Sequence, residues 1–408
     1  MDTVVNFDDN LSKFLKELKA FKENNPSGTQ YDANEDSVVL RRAQVMKVLE
    51  DIGLEWSYIQ NVVNSDYVFK PARGIYDFTK LVEKFDMVLS EQLRAEEEKA
   101  EDDLRTKLES ETIRKPFTGK TDDTLIPAPD STYVEWGNTE HVHKVIASRK
   151  WFPVYIQGES GNGKTQQVIE ACAKEGRELF RVQINPETDE DDLVGGFRLV
   201  DGDTVFEKGP VIRAMERGAI CLLDEIDRGT NKLMCLQGIM EGKNYLIKKT
   251  GEVIEPCDGF NVIATANTKG KGDATGKYAS SVLDEAFLER FPITILQEYP
   301  TKSVERRIVR NNMIRHQCLD DEFAEHLVEW AKQLRDSFIA GASEDMITTR
   351  RLCQAVQTFG VFQDRDLTIS FITSRFDEET REAFMQVYHA IDPSKLMREE
   401  ALSEKKSN

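Results

Sequence analysis

Eight consecutive residues, Gly158-Glu159-Ser160-Gly161-Asn162-Gly163-Lys164-Thr165, complete the pattern G-x-x-x-x-G-K-S/T, whose chemistry is to hold phosphate. Glycines let the backbone curl until its N–H groups face one concavity, and a helix opening behind them points its positive dipole end there. In that setting Lys164 reaches the β- and γ-phosphates and the Thr165 hydroxyl ligates Mg²⁺. At roughly 7% Gly per position the pattern would arise by accident in about one chain in a hundred of this length, so its surroundings decide. They fit. Pro153-Val154-Tyr155-Ile156-Gln157 reads as a buried strand before it, and Gln166 to Lys174 as a helix behind it. The expected contacts to ATP are Gly158, Ser160, Gly161, Asn162, Gly163, Lys164, Thr165 and Gln166.

Further along, Ala219-Ile220-Cys221-Leu222-Leu223 is an apolar strand ending in Asp224 and Glu225. Such a strand delivers Asp224 to the sheet edge, where with Thr165 it would hold Mg²⁺, and Glu225 would polarise a water for in-line attack. Adjacent acids at a strand end are common; it is the phosphate loop upstream that gives these two a role. Asn267 ends the run Ala264-Thr265-Ala266, where it would help position that water; the plain alternative is a turn-forming Asn before a Gly-rich loop. Three arginines could supply charge where it develops in phosphoryl transfer. Arg290 precedes the last strand and is suited to insertion into a neighbour's site. Arg228, just after the acidic pair, is a second interface candidate, and Arg350 opens a helix at Thr348-Thr349. Surface arginines are ordinary, so order and spacing carry the weight for Arg290 and Arg350. Val134 or Trp136 could contact the adenine ring, or serve only in packing.

The elements that must hold these groups read as α/β. Strands are expected at 153–157, 180–184, 219–223, 260–266 and 293–296, alternating with helices, the signature of a parallel five-stranded sheet between helices. Hairpins are expected at 197–206 around Asp201-Gly202 and at 245–254 around Thr250-Gly251. From Thr301 to Asp392 the period returns to helical, with Leu327, Trp330, Ala331 and Leu334 on one face. Upstream, residues 1 to about 115 read as helical: one stripe carries Phe7, Leu11, Phe14, Leu15, Leu18 and Phe21, a second Val38, Val39, Val45, Val48, Leu49 and Ile52, ending near Gly53. A third, from Phe78 to Leu89, continues into the charge-dense stretch 91–111, a solvated helix or coiled-coil arm, otherwise a flexible tether. The expected organisation is a helical N-terminal region (1–115) for partner docking or as a coiled-coil arm, a linker (116–131), an ATPase core (132–300), a helical lid (301–393) and a charged tail (394–408).

The 408 residues suffice for a sizeable core. A net charge of −19 argues against coating nucleic acid through bulk electrostatics. The six cysteines show no metal-ligand or C-x-x-C spacing, which points to reduced, mostly buried thiols. No run approaches a membrane span, and Met1-Asp2-Thr3 does not open a signal peptide, so a soluble cytoplasmic protein is expected.

Taken together, the phosphate loop, Asp224-Glu225, Asn267, Arg290 and Arg350 stand in the order of an AAA+ P-loop ATPase module, which the chain resembles over roughly residues 125–390. The hairpin before the third strand resembles the helix-2 insert of the MoxR branch, and Thr250-Gly251-Glu252-Val253-Ile254 its pre-sensor hairpin. The stretch from Ala264 to Tyr278 is similar to the loop of CobS-type proteins, ATPase subunits of aerobic cobaltochelatase, which tailed phages of cyanobacteria also carry. The resemblance implies that Asp224 and Glu225 are the metal-site and catalytic acids, Asn267 sensor 1, Arg290 the arginine finger and Arg350 sensor 2. It further implies a homo-oligomeric ring, typically a hexamer, with ATP between subunits, and a partner bearing a von Willebrand A domain or a chelatase subunit. The helical N-terminal region has no counterpart in the chelatase subunit.

Three functions remain in competition: a ring ATPase remodelling a partner, a nucleic-acid motor, or a nucleotide-gated scaffold without turnover. For the motor, Lys243, Lys248, Lys249, Lys269, Lys271 and Lys277 are available as pore cations.

Overall fold

The computed structural model describes residues 9–24, 38–65, 67–112, 125–270, 272 and 280–392. The chain divides into two compact units, Met1–Asp103 and Leu104–Asn408.

In the first unit, α1 (Asp9–Asn24) presents Leu11, Phe14, Leu15 and Leu18, all buried, to a core shared with Val45, Val48, Leu49, Phe78 and Leu81. β1 (Val39–Arg41) leads into α2 (Arg42–Ile52), which stops where expected: Gly53 takes φ 73° and its N–H returns to the carbonyls of Leu49 and Glu50. There follow α3 (Trp56–Val63), β2 (Phe69–Ala72), β3 (Ile75–Asp77) and the long α4 (Thr79–Thr112), which covers the charge-dense segment as helix. The region is therefore not helical throughout. Its strands form an antiparallel sheet ordered β1-β3-β2, with Val39 opposite Asp77 and Arg41 opposite Ile75. The expectation that Val38 and Val39 lie on a helix is corrected here. Both are buried with Leu40, and the β-branched pair favours extended backbone once a partner strand is present.

The second unit is built on a parallel sheet. α5 (Thr139–Ser148) precedes β4 (Val154–Gln157); then come α6 (Lys164–Lys174), β5 (Leu179–Gln183) and the short α7 (Glu190–Leu193). A hairpin, β6 (Gly195–Val200) with β7 (Asp203–Lys208), precedes α8 (Pro210–Arg217) and β8 (Ile220–Asp224). α8 has its limits written in sequence: Pro210 at the first turn, and Gly218 closing it at φ 61°. A second small hairpin pairs β9 (Tyr245–Leu246) with β10 (Val253–Ile254) before β11 (Asn261–Ala266), α9 (Glu285–Leu288) and β12 (Ile293–Leu296). The five-stranded sheet is ordered β12-β4-β11-β8-β5.

The central strands of this sheet alternate between two cores. Val154, Ile156, Ile220, Leu222 and Ile263 pack with α5 and α6 on one face. Tyr155, Cys221, Leu223, Val262 and Ala264 pack with α8 on the other. The lid follows as α10 (Lys302–Arg315), α11 (Asp321–Ile339), α12 (Thr349–Phe362), α13 (Arg365–Thr373) and α14 (Glu378–Ile391). Its core includes Leu327, Trp330, Ala331 and Leu334, and the Trp330 indole N–H donates to the carbonyl of Phe384 at 2.9 Å. This is the α/β AAA+ P-loop fold with a helical lid. Of the expected linker, 116–124 lie outside the described residues, as does the tail 394–408.

Candidate active site

The C-terminal ends of β4, β11 and β8 stand side by side, with Ala266 opposite Gln157 and Ala264 opposite Leu223. That register alone brings the phosphate loop, Asn267 and the acidic pair together. They line one cleft of about 560 Å³, roofed by Ile308 and Asn312 of α10 and by Thr349, Arg350 and Cys353 of α12. Ser160, Gly161, Asn162, Gly163, Lys164, Thr165, Gln166, Asp224, Glu225, Asn267 and Arg350 all line it. So do Val134 and Trp136, and a Cβ on Gly163 would lie 3.7 Å from the Trp136 ring. Gly158 stands behind the cleft instead, lining a neighbouring cavity. At φ 150° a Cβ there would come 2.1 Å from the carbonyl oxygen of Gln297, so only glycine fits.

Lys164 is buried at the start of α6, and its ammonium is shared among four oxygens. It donates to the carbonyls of Gly158 and Glu159 at 2.7 Å each, and to the side-chain oxygens of Asn267 at 3.2 Å and Asn162 at 3.3 Å. Burial pushes its pKa down to about 8, against the pull of the Asp227 and Glu159 charges. A buried cation held by neutral dipoles at a helix N-terminus suits an incoming phosphate.

Asp224 is 3% exposed and receives hydroxyl hydrogen bonds at Oδ1 from Thr165 at 2.8 Å and Thr265 at 2.5 Å. Arg181 meets its other oxygen, Oδ2, through Nε at 3.0 Å and Nη2 at 2.5 Å. Burial alone would raise this carboxyl; the bonds from Thr265, Thr165 and Arg181 outweigh it and hold the group below the usual range. The adjoining Thr165 hydroxyl and Asp224 carboxylate are hard oxygen donors of the kind Mg²⁺ takes.

Glu225 sits at φ 57°, an uncommon setting for a side-chain-bearing residue, and its N–H donates to Thr265 Oγ1 at 3.2 Å. Its carboxylate accepts from Gln183 Nε2 at 2.9 Å and from Arg228 at 2.8 Å. Asp227, 1% exposed, accepts at Oδ2 from the N–H groups of Asn267 and Thr268 and from the Thr268 hydroxyl, each at 2.9 Å, which fixes the strand end that carries Asn267.

The arginines divide. The Arg350 amide donates to the carbonyl of Gly161 at 3.2 Å, so this residue belongs to the cleft. Arg228 lies against Glu225. Arg290 is outside the cleft; its guanidinium bonds the carbonyl of Ala286 and lies 3.6 Å from Glu241. Among the candidate pore lysines, Lys243 faces Glu241 at 3.5 Å and Lys249 pairs with Asp191, while Lys271 and Lys277 lie outside the described residues.

Four residues of this site have no place in the sequence expectations above: Arg181, Gln183, Thr265 and Asp227. Arg181 and Gln183 were accessible in principle, because the period of two puts both on one face of a strand. What sequence does not show is that β5 pairs with β8, Gln183 opposite Asp224.

The family model of the AAA domain (dynein-related subfamily) matches residues 153–291. NorQ of Paracoccus denitrificans (strain Pd 1222) is 34% identical over 137 residues, covering 33% of this chain and 50% of that protein. Midasin of Giardia intestinalis is 24% identical over 231 residues, 55% of this chain and 4% of that one. The uncharacterized protein SH1500 of Staphylococcus haemolyticus (strain JCSC1435) is 27% identical over 240 residues, 56% and 87% respectively. The chain thus spans half of NorQ and a small part of Midasin. Residues 153–291 are thus similar to the AAA domain (dynein-related subfamily), and the motif order and strand order are those of an AAA+ P-loop core.

Proposed function

We propose that this chain is a ring-forming ATPase that hydrolyses ATP at seams between identical subunits and uses the cycle to remodel a partner protein or complex. The observation that supports it best is the gathering of Lys164, Thr165, Asp224, Glu225, Asn267 and Arg350 into one cleft between core and lid.

In this reading Lys164 and the amides of the phosphate loop bind the triphosphate, and Thr165 with Asp224 holds Mg²⁺. The metal, when bound, neutralises charge on the phosphate oxygens. Glu225 accepts the proton of the attacking water, and Asn267, fixed by Asp227 and bonded to Lys164, orients that water against the γ-phosphorus. Arg350 tells the lid what the phosphate loop holds. Arg290, set apart from its own cleft, serves the neighbouring subunit, where a trans guanidinium is worth about 10³ to 10⁵ in rate.

A hexamer, a von Willebrand A partner and cobaltochelatase-like or chaperone-like work belong to this proposal by resemblance to CobS and MoxR proteins. The nucleic-acid reading is not favoured, because two of its candidate lysines are neutralised by acids within the chain.

The seam is tested by mixing Arg290→Ala with Lys164→Ala subunits, each inactive alone. One intact site can form at their junction, so part of the ATPase activity returns. Mixed rings with no recovery would remove Arg290 from the neighbour's site.

A further inference from the structure

We propose that Arg181 is a resident counterion of Asp224 that occupies the metal's half of this carboxylate and must leave when Mg²⁺ arrives with nucleotide. The proposal rests on the nucleotide-and-metal reading above.

An ionised carboxylate offers about four acceptor positions, two on each oxygen. In Asp224 all four are taken: Oδ1 by the hydroxyls of Thr165 and Thr265, Oδ2 by Nε and Nη2 of Arg181. The Thr165 bond is compatible with metal, since a hydroxyl can ligate a cation through its lone pair while its proton stays on Asp224. The Thr265 bond is part of the buried frame. Oδ2 is thus the oxygen left for a metal or its bound water, and Arg181 covers it.

Arg181 is also placed to leave. Its side chain is 47% exposed while that of Asp224 is 5% exposed, and both residues line the cleft. The guanidinium can turn into solvent at little cost, whereas Asp224, buried, cannot lose one cation without gaining another. Exchange of Arg181 for a metal leaves Asp224 with a cation at every stage, and the phosphates that arrive with a divalent ion offset its extra positive charge.

Mn²⁺ titrations followed by EPR, on the full chain saturated with a non-hydrolysable ATP analogue, test this without turnover. Arg181→Met should tighten Mn²⁺ binding about fivefold, the size expected for loss of one half-exposed ion-pair competitor. Arg181→Lys, which cannot make both bonds to Oδ2, should tighten it by a smaller factor and serves if the first variant fails to fold. In EDTA neither variant should bind the analogue more tightly than the unaltered protein. Unchanged or weaker Mn²⁺ binding in both variants, or an equal gain in EDTA, would overturn the proposal. Failure of the unaltered protein to bind the analogue with or without metal would instead overturn the nucleotide reading itself.

Discussion

The backbone N–H of Arg350 donates to the carbonyl oxygen of Gly161, 3.2 Å away, so the first turn of a lid helix is bonded directly to the phosphate loop. Around this bond, Tyr299 donates its hydroxyl proton to the carbonyl of Ser160 at 2.7 Å, and Asn311 reaches the carbonyl of Thr132 at 3.2 Å. Lid and core therefore meet on the phosphate loop itself, at the carbonyl of Gly161.

Gly161 is where this junction is tightest. It has φ 72°, and a Cβ there would stand 2.8 Å from Thr348 Oγ1 and 3.2 Å from the Arg350 Cβ. Gly161→Ala should therefore part lid from loop and weaken ATP binding roughly tenfold, at a strain cost of about 1–3 kcal/mol. Titration with a fluorescent ATP analogue measures this, and an unchanged circular dichroism spectrum shows the sheet intact.

Lys164 gives the cleft a pH dependence. Without phosphate its ammonium titrates at about 8. A bound polyphosphate favours the charged form and raises that value, so above pH 8 binding must take up a proton. Affinity for ATP then falls as pH rises, approaching about tenfold per unit. Isothermal titration from pH 7 to 9.5 should show this slope in the unaltered protein and its loss in Lys164→Ala.

A buried ion pair ties α11 to α10 within the lid. Arg335 donates to both oxygens of Glu305 at 2.7 and 2.9 Å and to the carbonyl of Ile347 at 2.8 Å, and it lies 4.1 Å from the Tyr299 ring centre. Arg335→Met leaves Glu305, 1% exposed, without its cation and should cost about 3–5 kcal/mol. The double variant with Glu305→Leu should recover part of that loss in thermal denaturation.

Trp136 separates a base pocket from plain packing. If its ring faces adenine, Trp136→Ala should weaken ATP binding by about 1–3 kcal/mol, the worth of one stacked base, and leave inorganic triphosphate binding unchanged. Competition titrations with both ligands distinguish the two.

Much of this architecture was legible in sequence, for physical reasons. The three central strands of the large sheet, β4, β8 and β11, are short apolar runs buried on both faces, so their positions are local information. The Asp201-Gly202 and Thr250-Gly251 turns likewise announce their hairpins. The first unit hid its sheet because β1 to β3 are three or four residues long, and Val38-Val39-Leu40 merges with the helical stripe that follows. In the cleft, Lys164, Asp224 and Glu225 announced themselves by motif. Arg181 and Asp227 act through partners distant in the chain, Arg181 43 residues from Asp224 and Asp227 40 from Asn267, so only the folded register reveals them.

The central claim is that ATP is cleaved in this cleft with Glu225 as the base. Glu225→Gln keeps the shape of the side chain and removes its basicity. Single-turnover hydrolysis alongside analogue binding tests the claim most directly. The account predicts ATP affinity within about threefold of the unaltered protein and cleavage slowed by about 10² to 10⁴, the usual contribution of a positioned base. Cleavage at an undiminished rate in Glu225→Gln would contradict it.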